Sequence, residues 1–538
     1  MSAQSADNPP AASSSAIASS DAWSATLHDG LQSYAKGDFS GALEKFQQVL
    51  QQKPNSPDGY AGMTRVYLKQ KNLDLASETI GKGLAANQDA PVLQVVQGEV
   101  FFREGRITDA EREWVKVVNS GYPSAHAFLG LARVRDAIGL HHSARLMIEK
   151  AHQLDPNDPD IQRRWINTLG REERIKYLQE MLAGPSNDDP ETVLATRHYL
   201  EYLLARQKER GGNCRLGSSV TSTQADLQRL YIDPEHIRGY GLTVELNGHK
   251  SSLMLDTGAS GILVDQGIAE KAGITRLSQT RISGIGDQGS KTGWIGLAGS
   301  IKIGNLEFHD CPVEVMEKRS VVGEEGLIGA DVFDDFLVDL DFPNEKLRLS
   351  QLPQRPDEAS HPLKLKSEGG ADNPEEASNS DTSSGQAGKP TPDSGPQDAY
   401  IAPEMKTYTR IYRFGHALLV PTKIGDTPSK LFLLDTGAVM NHITPRAARE
   451  VTKVHGDTET IIKGVSGRVN NVYSADKAIL QFGHLRQENQ DLVSFDMNSL
   501  SDDLGTEVSG TLGFVMLRLL DVKIDYRDDL VNFDYKPR

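Results

Sequence analysis

Two short segments of the chain carry an aspartate in the same setting. Asp256 follows Leu-Met-Leu, Asp435 follows Phe-Leu-Leu, and each aspartate is followed by Thr-Gly-Ala. An apolar run of this kind predicts a buried β-strand, and Asp-Thr-Gly predicts a tight turn at its end. Each segment would therefore deliver one carboxylate at the edge of a β-rich core.

Two carboxylates brought face to face by such turns form a recognisable chemical unit. They cannot both ionise readily, so the pair holds one shared proton. One carboxylate can then act as general base on a bound water while the protonated one polarises a carbonyl group. We assign Asp256 and Asp435 as the candidate catalytic pair. Four neighbouring residues would support the pair. Thr257 and Thr436 carry hydroxyls that can bond across to the opposite loop, and Gly258 and Gly437 leave room for the two backbones to meet.

The surroundings of the two aspartates are also repeated. An apolar-Gly element ends at Gly329, 73 residues after Asp256, and another ends at Gly513, 78 residues after Asp435. A single Asp-Thr-Gly occurs by chance in turns, but two in matching surroundings favour a duplicated β domain. Two alternatives stay open: ordinary turns in unrelated hairpins, or a retained fold that binds peptides or proteins as a catalytically silent scaffold.

Glycine-rich segments follow each aspartate at nearly the same distance. Gly284 and Gly286 in the first region, and Gly464 in the second, are suited to the tips of mobile lids over a cleft. The G-x-G-x-x-G spacing that starts at Gly284 lacks the βαβ setting of a dinucleotide site. Trp294 and Tyr473 each lie 38 residues after their aspartate. They are candidate substrate-binding residues together with the three glycines, although core aromatics would fit the same positions.

A repeat with a period of 34 residues precedes the β regions. Ala42, Ala76, Ala110 and Ala144 are spaced by 34, and a large apolar residue follows each alanine by four positions. Small residues let two helices approach closely, and the large residue fills the groove beside them. Residues 23–157 are therefore predicted to form four helix pairs, with a helical cap over the last apolar face.

Composition limits the remaining possibilities. The formal net charge is −16, which argues against a nucleic-acid partner, and no apolar run is long enough to span a membrane. No motif predicts a metal or a cofactor. Cys214 and Cys311 are interpreted as two independent thiols, with one disulfide as the alternative. Acidic residues between Asp331 and Asp341 are interpreted as a solvated helix and strand edge.

Two stretches have the composition of disordered chain, the Ala- and Ser-rich start and a segment rich in Pro, Ser, Gly and acidic residues between the β regions. The start lacks the features of an intact signal peptide. We interpret it as a cytosolic tail or as the first residues of a chain whose signal was removed, and we slightly favour a periplasmic or secreted protein over a cytoplasmic one.

These features resemble two known families. The 34-residue units resemble tetratricopeptide repeats, and both β regions resemble retropepsin-type domains of the bacterial aspartyl protease family. The resemblance implies an all-α tetratricopeptide-repeat solenoid followed by two all-β retropepsin-like acid-protease domains, each a closed fold of about six strands. The implied divisions are a disordered tail at 1–22, repeats at 23–157, a helical connector at 158–212, a first protease domain at 238–352, a linker at 353–407 and a second protease domain at 408–538.

The family resemblance also implies an activity. It predicts an aspartic endopeptidase that acts on a polypeptide substrate, with Asp256 and Asp435 as the dyad of an internal pseudo-dimer and a possible protein partner on the repeats. Ser260 matches a small hydroxyl position of the family, whereas Val439 departs from it. The departure predicts that the two catalytic loops are not held by identical hydrogen bonds.

Overall fold

The computed structural model describes most of the 538-residue chain. The described residues are 14–184, 190–208, 214–317, 325–355 and 400–536. The chain divides into two compact units, residues 1–127 and 128–538, and each is described by itself. Within the described ranges, no helix combines the length and the apolar character needed to cross a membrane.

The first unit is helical. Its helices are α1 (Ser14–Ala35), α2 (Phe39–Gln52), α3 (Pro57–Lys69), α4 (Leu73–Ala86), α5 (Pro91–Arg103), α6 (Ile107–Asn119) and the start of α7 (Ala125–Ala137). Helix α1 begins inside the range 1–22, for which the sequence predicted a disordered tail. Alanine favours helix once the following residues are helical, so residues 14–22 extend α1; residues 1–13 lie outside the described part of the chain.

The repeat pattern corresponds to close contacts between consecutive helices. A Cβ atom at Gly30 would lie 2.9 Å from the Phe46 ring, and one at Gly98 would lie 2.5 Å from Trp114 Nε1. Trp114 is fully buried, and its indole N–H donates to the carbonyl oxygen of Val95 at 3.0 Å. In the first and third repeats the small residue therefore makes room for the large residue of the same repeat, which accounts for their equal spacing.

The second unit begins with the rest of α7. Its further helices are α8 (His141–Leu154), α9 (Pro159–Trp165), α10 (Arg171–Ala183), α11 (Pro190–Lys208), α12 (Gln266–Lys271), α13 (Pro445–Arg449), α14 (Asn498–Leu504) and α15 (Phe514–Leu517). Helices α9 to α11 occupy the range predicted as a helical connector. Ile175 and Leu178 of α10 pack against Leu200 and Leu203 of α11 in one apolar cluster, which covers the end of the helical region.

Strands make up most of the remainder of the second unit. They are β1 (Arg215–Leu216), β2 (Thr223–Asp233), β3 (His236–Leu246), β4 (His249–Asp256), β5 (Ile262–Asp265), β6 (Thr275–Ile282), β7 (Lys291–Ile303), β8 (Leu306–Met316), β9 (Gly326–Gly329), β10 (Phe336–Asp341), β11 (Lys346–Gln351), β12 (Thr409–Arg410), β13 (Tyr412–Phe414), β14 (Ala417–Ile424), β15 (Lys430–Asp435), β16 (His442–Ile443), β17 (Val454–Asp457), β18 (Lys463–Gly464), β19 (Gly467–Arg468), β20 (Val472–Phe482), β21 (Leu485–Ser494), β22 (Gly510–Gly513), β23 (Leu520–Asp525) and β24 (Leu530–Tyr535).

Two parts of the second unit, here named the first half (residues 214–355) and the second half (residues 400–536), share one topology. In the first half the strands run in the order β3-β4-β9-β5-β8-β7-β6, and in the second half in the order β14-β15-β22-β16-β21-β20-β17. An additional pairing, β3 with β7 and β14 with β20, closes each sheet. Each half thus has seven corresponding strands where the sequence predicted about six.

One antiparallel strand pair joins the two halves. Strand β10 of the first half pairs with β23 of the second, with Leu340 opposite Val522. Strands β11 and β2 continue this sheet on one side, and β24 and β12 continue it on the other. The two halves therefore share a continuous hydrogen-bonded sheet, which fixes their relative position.

The end of the predicted linker differs from a disordered chain. Residues 356–399 lie outside the described part, but residues 400–407 pack on the rest of the second half. Ala402 and Met405 are buried against Leu530, and the backbone N–H of Tyr400 donates to Asp528 Oδ1 at 2.9 Å. The prediction of a linker over 353–407 is therefore wrong for 400–407, because two apolar side chains find a buried site there.

The two cysteines form a disulfide, so the prediction of independent thiols is wrong. Strand β1 pairs with β8, with Arg215 opposite His309, and this pairing brings Cys214 beside Cys311. Because β1 has only two residues, its position could not be predicted from the sequence. The disulfide fastens the start of the first half to the long β8 strand.

Replacing both cysteines by serine is expected to destabilise the first half. The disulfide links residues separated by 97 positions. Cross-linking a loop of this length restricts the unfolded chain and typically raises the free energy of unfolding by roughly 2–4 kcal/mol. The denaturant midpoint of the double variant should fall, and reductant should lower the wild-type midpoint to the same value. A wild-type midpoint that does not respond to reductant would contradict this expectation.

Candidate active site

The first catalytic loop begins where a buried strand ends. Strand β4 lies parallel to β9, and Asp256, its last residue, is opposite Gly329. Leu253 and Leu255 are buried in the core, whereas Asp256 keeps 9% of its surface exposed. The strand thus anchors the loop in the core and leaves the carboxyl at its edge.

The second half repeats this construction. Strand β15 lies parallel to β22, and Asp435 is opposite Gly513. Phe432 and Leu434 are fully buried, and Asp435 is 5% exposed. The repeated apolar-Gly elements in the sequence are therefore the strands that support the two aspartates.

Four hydrogen bonds of the two threonines hold the loops together. The backbone N–H of Thr257 donates to Thr436 Oγ1 and that of Thr436 donates to Thr257 Oγ1, both at 3.0 Å. The Thr257 hydroxyl donates to the carbonyl oxygen of Leu434 at 2.7 Å, and the Thr436 hydroxyl donates to that of Leu255 at 2.9 Å. Both threonines are almost fully buried, so these bonds are shielded from water.

The two glycines let each loop approach the opposite aspartate. A Cβ atom at Gly258 would lie 2.9 Å from the Cγ and Oδ1 atoms of Asp435. A Cβ atom at Gly437 would lie 2.5 Å from Asp256 Cγ and 2.7 Å from its Oδ1. Each glycine N–H also donates to the aspartate of its own loop, at 2.8 Å for Gly258 and 2.9 Å for Gly437. The structure therefore brings all six predicted loop residues together.

The two carboxyls form a strongly interacting pair. Burial raises the pKa of Asp256 above its ordinary value, against hydrogen bonds that favour the charged form. Burial and the neighbouring charge of Asp256 raise the pKa of Asp435 to about 8. The two side chains interact directly, since each changes the pKa of the other. The pair can therefore retain one shared proton at neutral pH, and this proton belongs to the pair.

Thermal stability is expected to fall as the pH rises from about 5 to about 8. Asp435 has a folded-state pKa raised to about 8 from the ordinary 3.8, so between these values the folded chain holds a proton that the unfolded chain releases. Its contribution is fully present below pH 4 and is lost as the pH rises through 8. Glu314, with a pKa raised to about 7 mainly by burial, acts in the same direction.

Melting temperatures at pH 5 and pH 8 measure this effect. Asp435→Asn removes the titrating group without changing its size, so the difference between the two melting temperatures should shrink in this variant. A melting temperature that stays constant or rises towards pH 8 in the wild type would contradict the expectation.

The predicted lid segments lie against each other. We name residues 283–289 the first tip and residues 463–470 the second tip. The N–H of Gly284 donates to Ser466 Oγ at 3.1 Å, and the N–H of Ser466 donates to the carbonyl oxygen of Ile285 at 3.1 Å. Gly286 and Gly464 also stand at the contact, where a Cβ atom on either would collide with the backbone of the opposite tip.

The two predicted aromatic residues lie in different settings. Trp294 is buried in the main apolar core of the two halves, with the Arg276 guanidinium 5.6 Å from its ring. This position fits a core residue better than a substrate-binding one. Tyr473 is half-buried on β20, with the Arg449 guanidinium 6.0 Å from its ring. A role for Tyr473 in binding substrate stays a prediction.

Two residues at the site were not identified from the sequence. Ser466 is 3% exposed and bonds to the first tip through its side chain and its backbone. Asp331 belongs to the acidic run for which the sequence predicted a solvated edge, but its carboxylate accepts hydrogen bonds from Ser260 and Gly261 in the loop after Asp256. Its position two residues after Gly329 was the signal that could have identified Asp331.

Comparison with known proteins finds matches to two families. Residues 242–332 match the sequence model of a family described as "Aspartyl protease", and residues 33–97 match that of the "Tetratricopeptide repeat". The first match includes the Asp256 loop, the first tip and Asp331. The shared topology of the two halves rests on their strand order and is independent of either match.

Several curated proteins are similar to part of the chain. UBA domain-containing protein Mud1 of Schizosaccharomyces pombe is 34% identical over 110 residues, which are 20% of this chain and 32% of that protein. DNA damage-inducible protein 1 of Chaetomium globosum is 37% identical over 108 residues, 20% of this chain and 23% of that protein. Its namesake in Cryptococcus neoformans is 25% identical over 226 residues, 36% of this chain and 50% of that protein.

The similarity to these relatives is confined to a part of each protein. The chain spans between about a quarter and a half of their length. Together with the two family matches, the similarity identifies the main components of the chain: it carries tetratricopeptide repeats and, after them, an aspartyl protease-type domain.

Proposed function

We propose that the chain is an aspartic endopeptidase with one active site, made from Asp256 of the first half and Asp435 of the second. The observation that carries the proposal is the pair of Asp-Thr-Gly loops, which four threonine hydrogen bonds hold face to face. Burial of two interacting carboxyls is costly, and ordinary hairpin turns offer nothing that offsets this cost.

The proposed reaction uses the shared proton of the pair. The ionised carboxyl takes a proton from a bound water as the water oxygen attacks the peptide carbonyl carbon. The protonated carboxyl gives its proton to the carbonyl oxygen, so a neutral tetrahedral diol forms. Transfer of a proton to the amide nitrogen then allows the C–N bond to break, which yields a carboxylic acid and an amine. No bond forms between enzyme and substrate.

The second half is proposed to be a second protease-like domain. Its strand order matches that of the first half, and Asp435 and Gly513 occupy the positions of Asp256 and Gly329. The two domains then form the internal pseudo-dimer predicted from the sequence. A pairing within one chain is supported by the shared β10–β23 ladder, which holds the halves together without a second chain.

The substrate is proposed to be an extended or unfolded polypeptide. The first and second tips are hydrogen-bonded to each other, so these bonds must break and re-form each time a chain enters or leaves. Contact between the tips therefore favours a substrate chain that is thin and extended over a compact folded protein. The repeats are proposed to bind a protein partner or to recruit substrate, a role that rests on the family resemblance alone.

Cleavage of an unfolded protein such as casein tests the proposal. The full chain should release peptides from casein over a pH series, with activity lost as the pH rises above about 8, where the pair loses its shared proton. A statine-type inhibitor, which mimics the tetrahedral diol, should stop cleavage, and Asp256→Asn should be inactive. A folded chain that binds casein without cleaving it at any pH would support the silent scaffold and refute the peptidase.

A further inference from the structure

The two catalytic loops are held by different chemical groups, although their strands match. In the second half, the backbone N–H groups of Phe514 and Val515 donate to the carbonyl oxygens of Ala438 and Val439, at 2.7 and 2.9 Å. These bonds tie the loop after Asp435 directly to the backbone that follows β22. Val515 itself is 43% exposed, so its side chain takes no part in the tie.

In the first half a carboxylate stands at the corresponding position. Asp331 follows Gly329 by two residues, as Val515 follows Gly513. Its Oδ1 and Oδ2 atoms accept the N–H of Gly261 at 2.9 and 3.2 Å, and Oδ2 also accepts the Ser260 hydroxyl at 3.1 Å. The side chain therefore holds two consecutive residues of the loop that carries Asp256.

The held residue is a turn point of the loop. Gly261 has a φ of 59°, a left-handed backbone conformation that residues other than glycine rarely adopt. Its carbonyl oxygen accepts the N–H of Gly329 at 2.7 Å, and Gly329 is the residue opposite Asp256 in the β4–β9 pair. Asp331 therefore holds Gly261 by a hydrogen bond, and Gly261 holds Gly329 by another. Gly329 in turn lies opposite Asp256 in the strand pair.

We propose that Asp331 is a positioning residue for Asp256: its carboxylate fixes the Ser260–Gly261 turn. In the second half, backbone bonds of Phe514 and Val515 and the bond from the Gly513 N–H to Asn441 Oδ1 at 2.8 Å hold the loop after Asp435 without a carboxylate. The proposal rests on the proposed peptidase function, because positioning matters only if Asp256 reacts. It also gives the two carboxyls of the pair unequal support, as unequal roles in the reaction would require.

Hydrogen bonding, and not negative charge, is the basis of this role. Burial raises the pKa of Asp331, while the Gly261 N–H and the charge of His416 act in the opposite direction. Glu314 and Tyr526 interact with Asp331 electrostatically. A protonated carboxyl still has an oxygen that accepts the Gly261 N–H. An asparagine at this position offers the same acceptor with nearly the same shape.

The test compares Asp331→Val with Asp331→Asn in the full chain, with casein as substrate. The valine, which is the residue found at position 515, leaves the Gly261 N–H without its acceptor. We expect kcat to fall about 10- to 100-fold with KM within about threefold, since a small displacement of a reacting group has this effect. Asp331→Asn should retain kcat within about threefold and keep the pH profile of the wild type. Gly456→Ala on β17, where an added Cβ atom would have no atom within 4 Å, serves as the control and should leave kcat unchanged.

Hydrogen–deuterium exchange of residues 258–264 provides a readout that does not depend on activity. Exchange should rise in Asp331→Val and stay at the wild-type level in Asp331→Asn and Gly456→Ala. If Asp331→Val fails to fold, Ser260→Ala replaces it, with an expected threefold or larger loss of kcat. The inference is overturned if a folded Asp331→Val, or the Ser260→Ala variant that replaces it, has wild-type kcat. It is also overturned if Asp331→Asn loses activity. An inactive wild type refutes the proposed function instead.

Discussion

Asp256→Asn and Asp435→Asn are each expected to remove nearly all peptidase activity, by roughly 10³-fold or more, because a single carboxyl cannot supply both the base and the acid. Asparagine has nearly the size of aspartate and adds no non-hydrogen atom to the tightly packed loops. The fold should therefore persist. Removing one of two interacting buried acids should also leave the melting temperature at pH 8 equal to that of the wild type or above it.

Mixtures of the two variants reveal which aspartates pair. If Asp256 and Asp435 of one chain form the site, mixing the two inactive variants restores nothing. If each half pairs with its copy in another chain, each single variant keeps one intact site and about half of the activity. If Asp256 of one chain pairs with Asp435 of another, the mixture regains activity that neither variant has alone. Casein cleavage by each variant and by the equimolar mixture separates the three arrangements.

Gly437→Ala is expected to reduce kcat/KM by about 100-fold or more. The added Cβ would lie 2.5 Å from Asp256 Cγ and 2.7 Å from its Oδ1, and carbon atoms do not approach so closely. The collision is with the carboxyl of the opposite loop, so the variant must separate the two carboxyls. A displacement of this kind costs about two orders of magnitude in rate. Gly258→Ala, with contacts of 2.9 Å to Asp435, should be impaired less.

Gly456→Ala is the matched control for both substitutions. Gly456 lies on β17 of the second half, and a Cβ atom there would have no atom within 4 Å. This variant should have wild-type kcat/KM and wild-type melting temperature. A Gly437→Ala protein with kcat/KM within threefold of the wild type would mean that the two loops do not face each other as described.

The sequence predicted those parts of the site whose chemistry is local. Asp256, Thr257 and Gly258 lie in one tripeptide after an apolar strand, and the second half repeats the pattern at Asp435. The repeat of the motif also predicted the contacts between the loops, because the threonine after each aspartate can bond to the corresponding loop of the other half. The repeat period likewise predicted the helix pairs, since Gly98 and Trp114 must lie 16 positions apart to make contact.

The features that were missed depend on contacts distant in sequence. Cys214 lies beside Cys311 only because the two-residue strand β1 pairs with β8, and no local sequence pattern predicts so short a strand. Asp331 is one member of an acidic run in the sequence, and only the β4–β9 pairing brings it beside Gly261. Met405 stands in a segment of linker composition, yet it packs against Leu530, more than a hundred residues away.

Native mass spectrometry with a statine-type inhibitor tests most directly whether one active site is built from two halves of one chain. We predict a complex of one chain with one inhibitor molecule, and no complex for either Asp256→Asn or Asp435→Asn. Inhibitor found only on species of two chains would contradict the pairing of Asp256 with Asp435 within one chain. A folded wild-type chain that binds no inhibitor at any pH between about 4 and 7 would contradict the aspartic peptidase site itself.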